Sequence, residues 1–414
     1  MRVKPFKAVR PKRELAEKVA CPPYDVVSED DVLRLTKGNP YSFLHVVRAE
    51  VARKPRLDPS DPTVHVRARD TLNRFLNEGI LIQDDSPRFY VYAQQMGEHR
   101  QVGLVACASV EEYLEGKIKK HELTRQDKED DRTCHVLTVG ANTGPVFLMY
   151  RSIPELDTLI MMSTKEIPEY DFVDENGVRH TVWMVTDDSL IRKIEDWFSR
   201  RVKELYIADG HHRAAAAARA CQKLKAKNPH HAGDEEYNFF LSVIFPHNQL
   251  MILPYNRVVK DLNDLSVHEF LEKTSAHFEV EKLDVETFEP QQRHVFGMYM
   301  KERWYRLEPR EGSFDPSDPV DSLDVQILLK NLLQPVLGIE NPRKDPRIDF
   351  VGGIKGVEYL KELVDSGKYS VAFSLYPTQI EDLIRVADAG MIMPPKSTWF
   401  EPKLRSGLFV HRIE

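Results

Sequence analysis

Cysteine is scarce: Cys21, Cys107, Cys134 and Cys221 are the only four in 414 residues, with no Cys-x-x-Cys pair. Neither a disulfide framework nor a cysteine-ligated structural zinc is indicated. Long hydrophobic runs are missing as well. No apolar stretch approaches the roughly 18 residues of a membrane span, and no signal-like segment follows the basic start. No membrane partner is expected, and a cytoplasmic location with reduced thiols is. Nor is there an excess of positive charge: 58 Lys and Arg face 65 Asp and Glu, a formal net charge of −7. That balance argues against nucleic acid as the main partner, because such binding neutralises phosphates with a basic surface. The locally basic arm from Arg2 to Lys18 reads equally well as a solvated edge. Also absent are a Gly-x-x-x-x-Gly-Lys-Ser/Thr loop, a Gly-x-Gly-x-x-Gly helix start and an Asp-Phe-Gly kinase signature. Any phosphoryl chemistry in this chain must use another scaffold.

What is present is the composition of a folded chain with a substantial core, 42% apolar and 30% charged. Strand and helix signals are interleaved, which points to the α/β (α+β) class rather than a bundle. Three regions are expected: 1–90, an N-terminal α/β region; 91–260, a core; and 261–414, a C-terminal α/β region carrying a loop at 391–408. In the first, Cys21-Pro22-Pro23-Tyr24-Asp25 forms a rigid turn, Ser28 caps a helix, 41–47 alternates like a strand, 55–62 is a surface loop and 64–78 is an amphipathic helix. In the second, 89–92 and 101–110 make a hairpin, 136–150 and 182–185 are strands and 188–202 is an amphipathic helix. The runs 237–245 and 249–253, separated by Pro246-His247-Asn248, read as another hairpin.

The most informative stretch is Leu205-Tyr206-Ile207-Ala208-Asp209-Gly210-His211-His212-Arg213, followed by alanines from 214 to 218. A short apolar strand, a turn pair and a strong helix former stand in immediate succession. Such a junction offers an anion the unpaired N–H groups of a first helical turn and the positive end of its dipole. Gly210 allows close backbone approach, Arg213 supplies a two-pronged donor and the histidines supply more. The plainer alternative makes Asp209 an N-cap and leaves the basic side chains to water.

A second stretch, Lys119 to Arg132, is the most charge-dense part of the chain. His121-Glu122 begins like a zinc-protease helix, but position 125 is Arg, so the second ligand histidine is missing. On charge alone the segment is a solvated face or loop. The functional alternative makes Glu122 a general base, with His121, Lys128 and Arg132 supplying positive charge to a phosphoryl group. A third stretch, Pro395-Lys396-Ser397-Thr398, offers a cation and two hydroxyls, or else a proline-stiffened surface loop. Asn256-Arg257 and Lys403-Leu404-Arg405 are weaker candidates that equally suit structural ion pairs.

Asp-Gly-His-His-Arg opening an Ala-rich helix resembles the phosphate motif of the ParB/sulfiredoxin superfold, most closely that of free L-serine kinases. Lys119-Lys120-His121-Glu122 resembles the family's upstream Lys-x-His-Glu box, and 395–398 its Pro-Lys-Thr-Thr-type loop. The phrases Pro22-Pro23-Tyr24-Asp25 and Met393-Pro-Pro-Lys-Ser-Thr-Trp-Phe400 look like the long branch of that group, some members of which take pyrophosphate as donor. The resemblance implies a ParB/sulfiredoxin-like catalytic core at 91–260 with added N- and C-terminal regions, and a kinase converting free L-serine to O-phosphoserine, in amino-acid metabolism and cysteine biosynthesis. By position, Glu122 is the implied base and Asp209 the transfer-step and metal residue. Gly210, His211, His212, Arg213 and Lys396 are the implied phosphate ligands, and His121, Thr124, Ser397, Thr398 and Arg257 the substrate contacts. It also implies Mg²⁺ with pyrophosphate or an adenine nucleotide as donor; a homodimer is a possible assembly. The rival reading is a ParB-like nucleotide-binding module without metabolite kinase activity. Sulfiredoxin-type repair is disfavoured because His211 stands where those proteins place cysteine.

Overall fold

The computed structural model describes residues 1–414 except Arg53, Lys54 and Ser60, so part of the expected loop at 55–62 lies outside the described residues. The chain is α+β and divides into two compact units, Met1–Leu250 with Pro402–Glu414, and Met251–Glu401.

In the first unit the strands Phe89–Met96 and His99–Ser109 form the expected hairpin around the left-handed Gly97. A nine-stranded mixed sheet grows on either side of them. On one side come Arg179–Val185 and Tyr170–Val173, both antiparallel. On the other come Phe239–Pro246, Val146–Tyr150, Leu205–Asp209 and finally the short Ile118–Lys119. Leu205–Asp209 runs antiparallel to Val146–Tyr150, with a register shift between Ile207 and Asp209. It runs parallel to Ile118–Lys119, with Leu205 opposite Ile118 and Tyr206 opposite Lys119. Two parallel neighbours leave the sheet at the same end. The residues after Lys119 and those after Ala208 are thereby brought to one place.

Helix His211–Lys227 lies over this sheet and also packs against helix Gln126–Val139. All five alanines from 214 to 218 are at most 7% exposed, so the helix is crowded on more than one side. Ala214, Ala217 and Ala218 join a core with Leu104, Leu148, Ile194, Phe198 and Ile207. A second core gathers Phe43, Leu44, Val64, Leu72 and Phe75 of the N-terminal region with Val139 and Val410. The C-terminal segment is tied in by His411–Arg412 pairing with Ala141–Asn142, and by the backbone bridges of Cys21 with Ser406 and Val9 with Val410.

The second unit is built on a six-stranded antiparallel sheet in the order Phe278–Leu283, Arg303–Pro309, Phe296–Met300, Val371–Leu375, Tyr255–Val259, Ile348–Gly352. Its core gathers Val258, Tyr299, Trp304, Leu360 and Ala372. Among the described residues no helix is long and apolar enough to cross a membrane.

Three local expectations give way. Residues 41–47 form a turn and the helix Leu44–Val47, because Ser42 and His45, the polar members of the apparent alternation, are themselves buried. Residues 136–139 finish helix Gln126–Val139, which the left-handed Gly140 stops by donating its amide to the Val136 carbonyl. The runs around Pro246 do not form a hairpin. Phe239–Pro246 has both edges taken, by His99–Ser109 and Val146–Tyr150, and Met251–Leu253 pairs with Trp399–Glu401 in the second unit.

Candidate active site

Asp209 ends its strand at the register shift, and its Oδ1 accepts the Gly210 amide at 2.8 Å. The helix cap is Gly210 itself, at φ +93°, so the reading of Asp209 as N-cap is replaced by a carboxylate held one residue outside the helix. A Cβ on Gly210 would lie 2.9 Å from Arg213 Nε, so glycine is required both by its backbone angle and by the space the guanidinium fills.

Two cations face the Asp209 carboxylate. Lys403 Nζ is 3.4 Å from Oδ2 and Arg213 Nη2 is 3.8 Å away. Burial pushes the carboxyl's pKa up, but Lys403, Arg213 and the Gly210 amide outweigh it and hold the group well below the usual carboxylate range. Arg213 also donates to the Pro145 carbonyl and stands 4.0 Å from Asp25. Burial acts to lower its pKa, and Asp25 and Asp209 reverse that effect. Its Nε is buried with no hydrogen-bond partner among the described residues, and so is Nε2 of His211, a side chain in a residue only 5% exposed. Buried orphan donors are costly; two of them at one helix start suit an incoming acceptor-rich anion.

The charge-dense stretch meets this turn. His121 is buried with its ring 4.5 Å from that of His211, nearly perpendicular. Burial lowers its pKa to about 4, against the opposing pull of the Ile207 backbone and Asp209. His211 is held far below the normal imidazole value, by burial first and His121 second. Both rings are therefore neutral near pH 7. His212 is neutral too: its Nε2 accepts the Arg125 amide at 3.1 Å, and burial lowers its pKa. Glu122, half-buried, follows His121 directly into this region. Thr124 is spent locally, its hydroxyl donating to Glu129. Arg132 pairs with Asp131 and covers the Tyr24 ring at 4.3 Å.

Lys396, Ser397, Thr398 and Arg257 are gathered in the second unit. Arg257 is 3% exposed and donates to the carbonyls of Tyr255 and, at 3.0 Å, Lys396. Burial lowers its pKa to about 10. Lys396 sits at φ +59°, Ser397 donates to the Pro394 carbonyl at 2.7 Å and Thr398 is half-buried.

Sequence reasoning did not assign Asp25, and it treated Lys403 as a weak candidate. The Pro22-Pro23 turn was visible, but nothing local tells that it lies beside Arg213. Arg405, offered with Lys403, is a structural partner of Asp174 and Glu175.

As to magnesium, no group of three or more His, Cys, Asp or Glu among the described residues could hold a metal. Asp209 is already neutralised by Lys403 and Arg213. Magnesium seldom uses an all-protein cage, its usual setting being one or two carboxylates beside substrate phosphates, and Asp209 is the carboxylate at this turn.

A strand, a left-handed glycine and a helix start ringed by buried bases define an α+β protein with a candidate anion cradle. The chain belongs to the family described as Protein of unknown function (DUF1015), whose model matches residues 3–326. No curated protein matches it. Among solved structures it is similar to a conserved hypothetical protein from Pyrococcus furiosus (16% identity, 73% of this chain and 95% of that one, TM-score 0.36). It is also similar to a free serine kinase in complex with AMP (15%, 73% and 92%, TM-score 0.37). A third is SbnI with C-terminal truncation from Staphylococcus aureus (10%, 74% and 86%, TM-score 0.36). Likenesses of this size say nothing of this chain's chemistry.

Proposed function

We propose that the protein is a small-molecule kinase that transfers a phosphoryl group from a diphosphate donor to the hydroxyl of free L-serine. The observation that supports this reading best is the parallel pairing of Ile118–Lys119 with Leu205–Asp209, which delivers His121-Glu122 and Asp209-Gly210-His211 to the same end of the sheet. In this reading the helix-start amides, His211 and Arg213 bind the donor phosphates, and Glu122 takes the proton of the serine hydroxyl. Neutral His211 can donate one hydrogen bond without adding charge, while the single N–H of neutral His121 is engaged with the Ile207 backbone and holds that ring beside His211. Asp209 and Lys403 hold the charge balance around the transferring group. Asp209, together with the donor's phosphates, would hold Mg²⁺, which would supply shielding of the diphosphate charge. Lys396 keeps the phosphate role, and Ser397, Thr398 and Arg257 the substrate roles, that the sequence resemblance implies. Pyrophosphate and an adenine nucleotide share the diphosphate that the cradle would take, and both are candidates; the ParB/sulfiredoxin-like ancestry of the core belongs to the same reading.

The direct test incubates the protein with Mg²⁺, L-serine and either pyrophosphate, ADP or ATP, and assays phosphoserine. Glu122→Gln is expected to lower kcat at least about a hundredfold, the scale of a lost general base. No phosphoserine with any donor, or full activity in Glu122→Gln, would refute the reading or the role of Glu122 respectively.

A further inference from the structure

We infer that Asp25 is the recognition carboxylate for the ammonium group of the acceptor; this rests on the kinase reading above. Asp25 sits on a turn in which the Val26 amide reaches the Pro23 carbonyl. The turn is clamped on every side. Pro22 and Pro23 restrict its backbone, and Cys21 exchanges both backbone hydrogen bonds with Ser406, at 3.0 and 2.9 Å. Arg48, paired with Glu50, donates to the carbonyls of Tyr24 (3.3 Å) and Val27 (2.7 Å), on either side of Asp25. Arg132 covers Tyr24 from above. Yet the side chain carried by this fixed loop is 35% exposed and stands 4.0 Å from Arg213 Nη2, too far for a hydrogen bond. A rigid, exposed carboxylate that stops short of its nearest cation is poised for something else.

Charge counting says what that is. Asp25 and Asp209 together face Arg213, while Lys403 faces Asp209. When donor phosphates occupy Arg213, Asp209 retains Lys403, whereas Asp25 loses its share of the guanidinium and meets phosphate charge instead. A cation at Asp25 restores the balance, and the ammonium of an amino acid whose hydroxyl must lie next to the donor is such a cation. A partly open cavity lined by Tyr24, Arg132, His135, Thr143, Arg213 and Ser406 adjoins Arg213, and the Asp25 carboxylate is itself exposed, so the acceptor's ammonium can reach it from solvent.

The experiment measures kcat and KM for L-serine and for glycerate, which has a hydroxyl where serine has its ammonium, in wild type and Asp25→Asn at saturating pyrophosphate. Wild type is expected to prefer L-serine by kcat/KM. Asp25→Asn is expected to raise the KM for L-serine at least about tenfold, to change kcat less and to shrink the preference over glycerate, since a site built to pair a polar group rejects the analogue lacking it. The KM for pyrophosphate should not rise, since Asp25→Asn removes a negative charge from beside the donor's Arg213, and the Mg²⁺ dependence should not move. Wild type using both acceptors equally, an unchanged serine KM in Asp25→Asn, or an effect confined to pyrophosphate or Mg²⁺ would each overturn the assignment while leaving the kinase reading intact. Wild type phosphorylating neither acceptor with pyrophosphate, ADP or ATP would remove both.

Discussion

At Gly210 a single hydrogen atom in place of a methyl group decides the geometry of the cradle. The residue is at φ +93°, where an L side chain is strained, and the space beside it is occupied by Arg213. Gly210→Ala is expected to cost about 1–2 kcal/mol from the left-handed backbone alone, read as a lower urea midpoint, and to raise the KM for the diphosphate by displacing the guanidinium. A midpoint and KM equal to wild type would mean the helix start tolerates a side chain. The buried imidazoles act differently. His121 has its pKa lowered from 6.5 to about 4, so below pH 6.5 the unfolded chain takes up a proton that the folded chain refuses. Stability from this residue is complete above about pH 6.5 and is lost as pH falls toward 4. It amounts to on the order of 3 kcal/mol, at 1.36 kcal/mol per pKa unit, with His211 acting in the same sense. Thermal melts between pH 7 and 4 should show a falling Tm, and His121→Gln a shallower fall; an unaltered slope would mean His121 is protonated in the fold.

Among the elements, the alanine helix shows how a correct reading can have an incomplete cause. Its alanines are strong helix formers, and that made the helix legible. Their burial on several sides gives the further reason: only a methyl group fits where the helix meets both the sheet and helix Gln126–Val139. Ala216 is fully buried, and Ala216→Leu should destabilise the protein by about 1–3 kcal/mol through overpacking, measured by chemical denaturation; a neutral result would mean the contact is loose. The strands tell the converse story. The hairpin expected around Pro246 fails because apolar runs adjacent in sequence find better partners far away: Phe239–Pro246 pairs with residues from 99–109 and 146–150, and Met251–Leu253 with 399–401. Periodicity reports which face of a strand is buried but not which strand lies beside it.

The chain as a whole has two compact units with separate cores, one of them a continuous segment from Met251 to Glu401. Calorimetry is therefore expected to give a calorimetric enthalpy larger than the van't Hoff enthalpy, the mark of more than one cooperative transition; equality of the two would show that the units unfold as one. The amino-acid sequence by itself determined the mixed α+β class, the strand–turn–helix at 205–227, the amphipathic helices and the identity of the charged groups at the cradle, because each depends on residues within a few positions of one another. Only the tertiary structure decided that His121 meets His211, that Lys403 returns to Asp209 and that Asp25 stands beside Arg213. Those meetings join residues roughly ninety to two hundred positions apart through sheet pairing and backbone bridges, and no local pattern of hydrophobicity or charge encodes which distant partner a segment will choose.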